Sequence, residues 1–285
     1  MKKIVVALEG GLGNQMFQYA AGRALAARSD SPLALDLRPL LQQGQRSYGL
    51  GAFKLCDPTL ITEGALPGRA GKIRRWLRKI TFGEQTFREA SFTLDQRILS
   101  VKAPARIEGY FQSERYFADV ADVIRADFTP PAEDLGRLDA MASRLLPPGP
   151  NLSLHIRRGD YTNPTTMAVH GLMGQDYYSR ALRLVAEQAG TSTVCVFTDD
   201  PAWVRANLEL PADSVFISEH TGSAVEDLIL MSRCTHHITA NSSFSWWGAW
   251  LNPKPDKVVV TPSRWFQPAA GLDTRDLRPV GWFSV

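Results

Sequence analysis

Short continuous apolar runs alternate with longer stretches of helical periodicity along most of this chain. Ile4–Leu8 (IVVAL) is such a run, rich in β-branched residues, and predicts a strand buried on both faces. It leads into the turn Gly10–Gly13 (GGLG) and then a helical stretch from Asn14 to about Arg28, with Phe17 and Tyr19 set among alanines. A second apolar run, Pro32–Leu37, completes a βαβ opening.

The same grammar restarts after Pro147–Pro150 (PPGP), the strongest linker signal in the chain. Strands are predicted over Leu152–Ile156, Thr193–Phe197, Val215–Ile217, His237–Ala240 and Val258–Thr261. Helices are predicted over Asp176–Gln188, Pro201–Leu208, Ala224–Cys234 and Asn241–Leu251. Alternation of this kind argues for parallel sheets with helices on both faces. An α/β protein of two Rossmann-like lobes follows, 1–150 and 151–285, with a central cleft. Residues 40–105 carry the weakest pattern.

Length and composition agree. At 285 residues the chain is nearly twice a typical domain of about 150. Hydrophobic residues at 44% and charged residues at 21% exclude a disordered chain. Cys56, Cys195 and Cys234 form no CxxC pair, which suits a reducing, cytoplasmic compartment and no thiolate metal cage. The five histidines show no zinc-ligand spacing. The run Ile4–Leu8 is too short for a signal peptide, and no stretch reaches the 18 or so apolar residues of a membrane span.

The net charge of +3 is unevenly spread. Residues 1–150 carry 21 cations and 16 anions, whereas residues 151–285 carry 11 and 13. Arg69, Lys72, Arg74, Arg75, Arg78 and Lys79 lie together without an acid, inside a basic insert over about 62–83. Ile73, Trp76, Leu77 and Ile80 fall at helical spacing beside them, so an amphipathic helix touching a membrane surface through 69–79 stands beside a plain solvated face. The net-negative second half argues against a nucleic-acid partner.

Each chemical motif has two readings. The turn Glu9–Gln15 (EGGLGNQ) is either a tight strand-to-helix turn or a ligand loop, where free N–H groups favour negative charge. It lacks the third glycine of a dinucleotide fingerprint, although Asp36 sits where the ribose acid is expected, which keeps a nucleotide-dependent oxidoreductase in view. His155–Tyr161 (HIRRGDY) leaves a strand at its carboxyl end, where one arginine should face a phosphate or carboxylate and Asp160 could orient it. Asp199 and Asp200 read as a metal pair, or as a helix cap ahead of Pro201. Asp227 is a charge in the first turn of a helix opened by the capping box Ser223–Glu226, or a reader of a guanine edge. Ser242 and Ser243 open a helix whose N–H groups suit a phosphate. Trp246, Trp247 and Trp250 favour core packing over a sugar platform.

Taken together, these segments resemble the bacterial α-1,2-fucosyltransferases. Gly10–Ala21 (GGLGNQMFQYAA), His155–Tyr161 (HIRRGDY), Phe197–Pro201 (FTDDP) and Asn241–Leu251 (NSSFSWWGAWL) occur in that family's order, and Gly109–Glu114 (GYFQSE) is similar to another of its segments. The resemblance implies a GT-B type fold, with an acceptor-side first lobe and a donor-binding second lobe. It implies inverting transfer of fucose from GDP-β-L-fucose to O2 of a terminal galactose, on an oligosaccharide or a lipid-linked glycan at the inner membrane surface. No metal or other cofactor is implied. Arg157 would grip the pyrophosphate and His155 would touch the nucleoside. Asp227, sixteen residues before Ser243, would read guanine, while Ser242, Ser243 and Phe244 would line the diphosphate. Gly11, Gly13 and Asn14 would lie near the transferred sugar, and Asp199 near the nucleoside or at its helix cap. The general base is not assigned. Glu9 adjoins the glycine turn, but the family often carries a non-acid there. Asp160 is the other candidate, a weak base because flanking arginines lower its pKa. A loose oxocarbenium-like path with late proton transfer needs no strong base.

Overall fold

Ile4–Ala7 is buried at every position because it runs down the middle of a parallel sheet. The computed structural model of the protein describes residues 2–44, 46–64 and 85–285. The basic stretch 69–79 lies outside the described residues. The chain divides into two units: Met1–Pro131 with Asp273–Leu277, and Ala132–Leu272 with Arg278–Val285.

In the first unit, β1 (Ile4–Ala7), β2 (Leu33–Asp36), β3 (Thr59–Ile61), β4 (Gln85–Arg88) and β5 (Ala105–Glu108) form one sheet in the order β3-β2-β1-β5-β4. Every pairing in it is parallel. The helix Leu12–Arg28 carries the crossover from β1 to β2. It lies so close to β1 that a Cβ on Gly22 would come 2.1 Å from Val6 Cγ2. Here the sheet needs a residue without a side chain.

Asp36 ends β2 fully buried, and Arg38 and Arg106 close on both of its oxygens at 2.6–2.7 Å. Burial works against its charge, but the two guanidiniums outweigh that and hold the carboxyl below its usual range. A carboxylate so enclosed has no edge left for a ribose, and the oxidoreductase reading loses its acid.

In the second unit, β6 (Asn151–Ile156), β7 (Thr193–Thr198), β8 (Val215–Phe216), β9 (His236–Ile238), β10 (Val259–Thr261) and β11 (Phe283–Ser284) are likewise all parallel. Their order is β11-β10-β9-β6-β7-β8. The chain therefore winds outward from β6 to β8, returns to the centre, and winds the other way from β9. This is the doubly wound arrangement, with its switch point between β6 and β9. Alternate residues of β7 serve opposite faces. Val194 and Val196 join Tyr177, Tyr178, Ala181 and Val185 of the helix Gln175–Ala189, while Cys195 and Phe197 join Leu230 and Met231 of the helix Ala224–Arg233.

The structure moves the lobe boundary from residue 150 to 131/132. The cause is the helix Ala132–Leu145, which the sequence reading left out. It packs Met141, Ala142 and Leu145 on the second unit's core. Arg233 donates to the Leu138 carbonyl at 2.9 Å and pairs with Asp139 at 2.6 Å. Pro147–Pro150 is thus a turn inside the second unit, leading from this helix into β6.

Removing the acid from the buried Asp36 cluster should leave Arg106, whose side chain is 3% exposed, short of its partner. Asp36→Ala is expected to cost on the order of 3–5 kcal/mol, read as a lowered urea midpoint.

Candidate functional site

Three carboxyl-end loops of the second sheet carry the motif residues. From β6 the chain leaves as His155–Tyr161, from β7 as Thr198–Asp200, and from β9 as Asn241–Ser243. Because β6 neighbours both β7 and β9, the parallel register delivers all three to one edge.

The two arginines diverge, and each meets one aspartate of the neighbouring loop. Arg157 Nη1 lies 2.7 Å from Asp199 Oδ2, and its guanidinium is 5.8 Å from the Tyr161 ring centre. Asp199 Oδ1 also accepts the Arg158 N–H at 2.8 Å, fixing the backbone that follows Arg157. Arg158 stacks over Trp203 at 3.7 Å and reaches Asp200 at 3.3 Å, while Asp200 Oδ1 caps the helix Pro201–Asn207 by accepting the Trp203 N–H. The cap reading of Asp200 thus holds. Asp199 is a partner of Arg157 and not the cap. Among the described residues, no group of three His, Cys, Asp or Glu side chains is placed to hold a metal ion. Asp160 falls in the turn Gly159–Thr162, and its side chain lies outside the described residues.

Across the switch point, Tyr161 donates its hydroxyl to the Asn241 carbonyl at 3.2 Å and so ties the β6 and β9 loops together. Asn241 is itself pinned, its amide donating to the His170 carbonyl at 2.8 Å. Ser242 begins the helix Ser243–Leu251 without a side-chain cap of its own. A helix N-terminus at this place, beside a half-buried arginine, presents donors and positive charge to an anion. Phe244 packs on the His155 ring at 5.6 Å. His155 is fully enclosed, and burial, with the Arg157 charge added, pushes its pKa down to about 3. It is therefore neutral at physiological pH, and its Nδ1 has no hydrogen-bond partner among the described residues.

Asp227 belongs to the same edge. The Thr198 N–H at the end of β7 donates to Ser218 Oγ, which donates to Asp227 Oδ2 at 2.7 Å, and Thr221 donates to Oδ1 at 2.6 Å. Burial raises the carboxyl's pKa against those two hydrogen bonds. Two hydroxyls aim this side chain, which a charge at a helix start does not require. Trp246, Trp247 and Trp250 are buried in the core, where Trp246 also packs on Trp282. They are no sugar platform.

The glycine turn lies in the first unit, at the carboxyl end of β1. Gly10 takes φ +77°, and a Cβ there would fall 2.6 Å from Asn14 Nδ2. Gly11 caps the helix Leu12–Arg28, which contains Gly13 and Asn14. Gln15 laces the turn shut, donating to the carbonyls of Gly10 and Ser47. Glu9 accompanies the turn, with its pKa raised by burial and by Glu108. That direction suits a proton acceptor working near neutrality.

A model of glycosyl transferase family 11 matches residues 1–269. The chain belongs to that family. Among its relatives, the α-1,2-colitosyltransferase of Escherichia coli is 33% identical over 299 residues, covering 100% of this chain and 99% of the relative. The O-antigen biosynthesis glycosyltransferase WbnK of Escherichia coli is 34% identical, covering 98% and 99%. Rabbit (Oryctolagus cuniculus) galactoside α-(1,2)-fucosyltransferase 2 is 24% identical, covering 85% and 65%. Of solved structures, an Arabidopsis thaliana FUT1 mutant in complex with GDP matches with a TM-score of 0.51 at 11% identity, over 98% of this chain and 74% of that one. The fucosyltransferase NodZ from Bradyrhizobium matches with 0.50 at 15%, over 88% and 92%. At such identities the likeness is one of fold, and the fold is the GT-B type.

The family 11 chain is thus a glycosyltransferase, and no helix among its described residues is long and apolar enough to cross a membrane. Sequence reasoning missed the Arg157–Asp199 pair and the Tyr161–Asn241 bond. Both join motifs some 40–80 residues apart, and the signal for each was a polar residue at the end of neighbouring strands.

A neutral buried His155 has a consequence for acid stability. Unfolded imidazole takes up a proton near pH 6.5, and the folded one only near 3, so stability is full above 6.5 and drains as pH falls through that window. The fully developed loss is about 4–5 kcal/mol. Urea melts at pH 7 and 4.5 should show a smaller acid loss for His155→Asn than for the native chain.

Proposed function

We propose that this family 11 enzyme transfers L-fucose with inversion from GDP-β-L-fucose to O2 of a terminal β-galactose, forming an α-1,2-fucoside. One observation carries this reading: an arginine held by an aspartate, set beside a helix N-terminus at the switch point of a doubly wound sheet. As the bond between the sugar C1 and the phosphate oxygen breaks, negative charge develops on GDP. Arg157 and the N–H groups around Ser242 and Ser243 stabilise that charge in place, which is the work a metal would otherwise do. His155 and Phe244 form a neutral face for the nucleoside, and Asp227, oriented by Ser218 and Thr221, accepts from the guanine edge. Gly11, Gly13 and Asn14 serve the sugar end, and Glu9 takes the proton from the attacking hydroxyl.

A second donor deserves the same test, because the relative from Escherichia coli named for colitose is 33% identical. Colitose is fucose without the 3-hydroxyl, so GDP-colitose would be handled by the same phosphate and guanine contacts. The name of the O-antigen relative supports a glycan as acceptor. A lipid-linked one, approached from the membrane surface through 69–79, is the form we propose.

Turnover of GDP-fucose and of GDP-colitose with β-galactosides, in EDTA and with linkage analysis, tests the reaction. Transfer to O2 should survive the chelator, and activity lost to EDTA or transfer to another position would refute the scheme. Arg157→Ala should weaken GDP binding by roughly 2–5 kcal/mol in calorimetry. Because the Asp227 pKa is raised, GDP affinity should begin to fall at a higher pH than an ordinary carboxyl would dictate, and Asp227→Asn should remove that dependence.

A further inference from the structure

The segment Gly109–Glu114 has a specific shape. It leaves β5 and folds around Glu89, the residue after β4. Glu89 Oε2 accepts the N–H groups of Tyr110 and Phe111, each at 2.9 Å, and Oε1 accepts the Tyr116 hydroxyl at 2.9 Å. Phe111 sits at φ +52°, a region that a bulky residue rarely enters, so these bonds and not local preference set the loop.

The outcome is the placement of Gln112. Only 6% exposed, it meets the first turn of the helix Leu12–Arg28, where its Nε2 donates to Asn14 Oδ1 at 2.9 Å. Its Oε1 is buried and has no hydrogen-bond partner among the described residues. Buried acceptors are satisfied in the great majority of cases, and an exception at a ligand-binding edge calls for a donor. This edge is the first unit's own switch point, between β1 and β5. An amide oxygen can take a hydroxyl hydrogen, whereas an ionised phosphate has none to give, and Glu9 beside the turn adds no attraction for an anion.

We propose that Gln112 accepts a hydrogen bond from a sugar hydroxyl of one of the two substrates, beside Asn14, and that Glu89 is the positioning residue behind it. The proposal rests on the glycosyl-transfer reading above. Its hydroxyl belongs either to the sugar being transferred or to the acceptor glycan.

The test titrates native, Gln112→Met and Gln112→Glu proteins with GDP, with GDP-fucose and with an acceptor β-galactoside, and measures kcat and KM. GDP lacks both the transferred sugar and the acceptor glycan, so all three proteins should bind it equally. Failure of the native protein to bind GDP would count against the donor reading and not against Gln112. Gln112→Met should weaken one sugar-bearing substrate roughly five- to fiftyfold. Gln112→Glu keeps an acceptor oxygen but gives up the Nε2 donor to Asn14 Oδ1, so its affinity should fall between those of the native protein and Gln112→Met. A shift confined to GDP-fucose puts the hydroxyl on the transferred sugar, and one confined to the galactoside puts it on the acceptor. Native affinities for both substrates in Gln112→Met would overturn the proposal and leave Oε1 to a buried water. Should that variant unfold, the native protein is titrated with singly deoxygenated analogues of both substrates. One analogue should bind at least about fivefold more weakly, and uniform binding across the series would overturn the proposal equally.

Discussion

The structure turns on the side-by-side pairing of β6 and β9, two strands some eighty residues apart that lie parallel in register Leu152↔His236. On one side of this pair the chain winds outward through β7 and β8, and on the other through β10 and β11. Their carboxyl-end loops must therefore depart toward opposite faces, leaving a gap that neither loop fills. Arg157 stands on one bank of that gap and the N-terminus of the helix Ser243–Leu251 on the other. The Tyr161 hydroxyl on the Asn241 carbonyl keeps the banks in register. Without that pairing, the loop after β6 and the helix start after β9 would not be neighbours.

Charge in the site is arranged by pairing rather than by surplus. The second unit has more acids than bases in its sequence range, yet its motif arginine Arg157 is kept where it is by an acid. Asp199 holds both the Arg157 side chain and the Arg158 backbone, and Asp200 and Trp203 draw the second guanidinium aside. The two adjacent guanidiniums are thereby held apart, each on its own aspartate. An average over sequence charge has no way to express this, and the basic cluster at 69–79 dominates such an average.

Much of the fold was legible because buried parallel strands leave unbroken apolar runs such as Ile4–Ala7 and Thr193–Thr198, and because crossover helices must follow them. What escaped has physical reasons. The strands β3 and β4 lie at the sheet's edges and are half-exposed, so their runs are short and mixed. The helix Ala132–Leu145 belongs to the second unit by packing, while the proline run that follows it mimics a linker. At the site, residue types and motif order pointed to the donor edge. Partnerships such as Arg157–Asp199 and Asn14–Gln112 depend on which strands become neighbours, and local pattern does not carry that. Asp36 shows the reverse error: its position suggested a ribose contact, but Arg38 and Arg106 had already claimed it.

The return of the chain to the first unit at Asp273–Leu277, before β11 completes the second, is an anchored detour. Asp276 accepts the Leu94 N–H at 2.8 Å and pairs with Arg115 at 2.6 Å. Neither unit is therefore written as one uninterrupted stretch of gene. A scission at 131/132 yields one fragment missing a short anchored strip and another burdened with it. The two units are a division of architecture, and they cannot be lifted apart as cassettes.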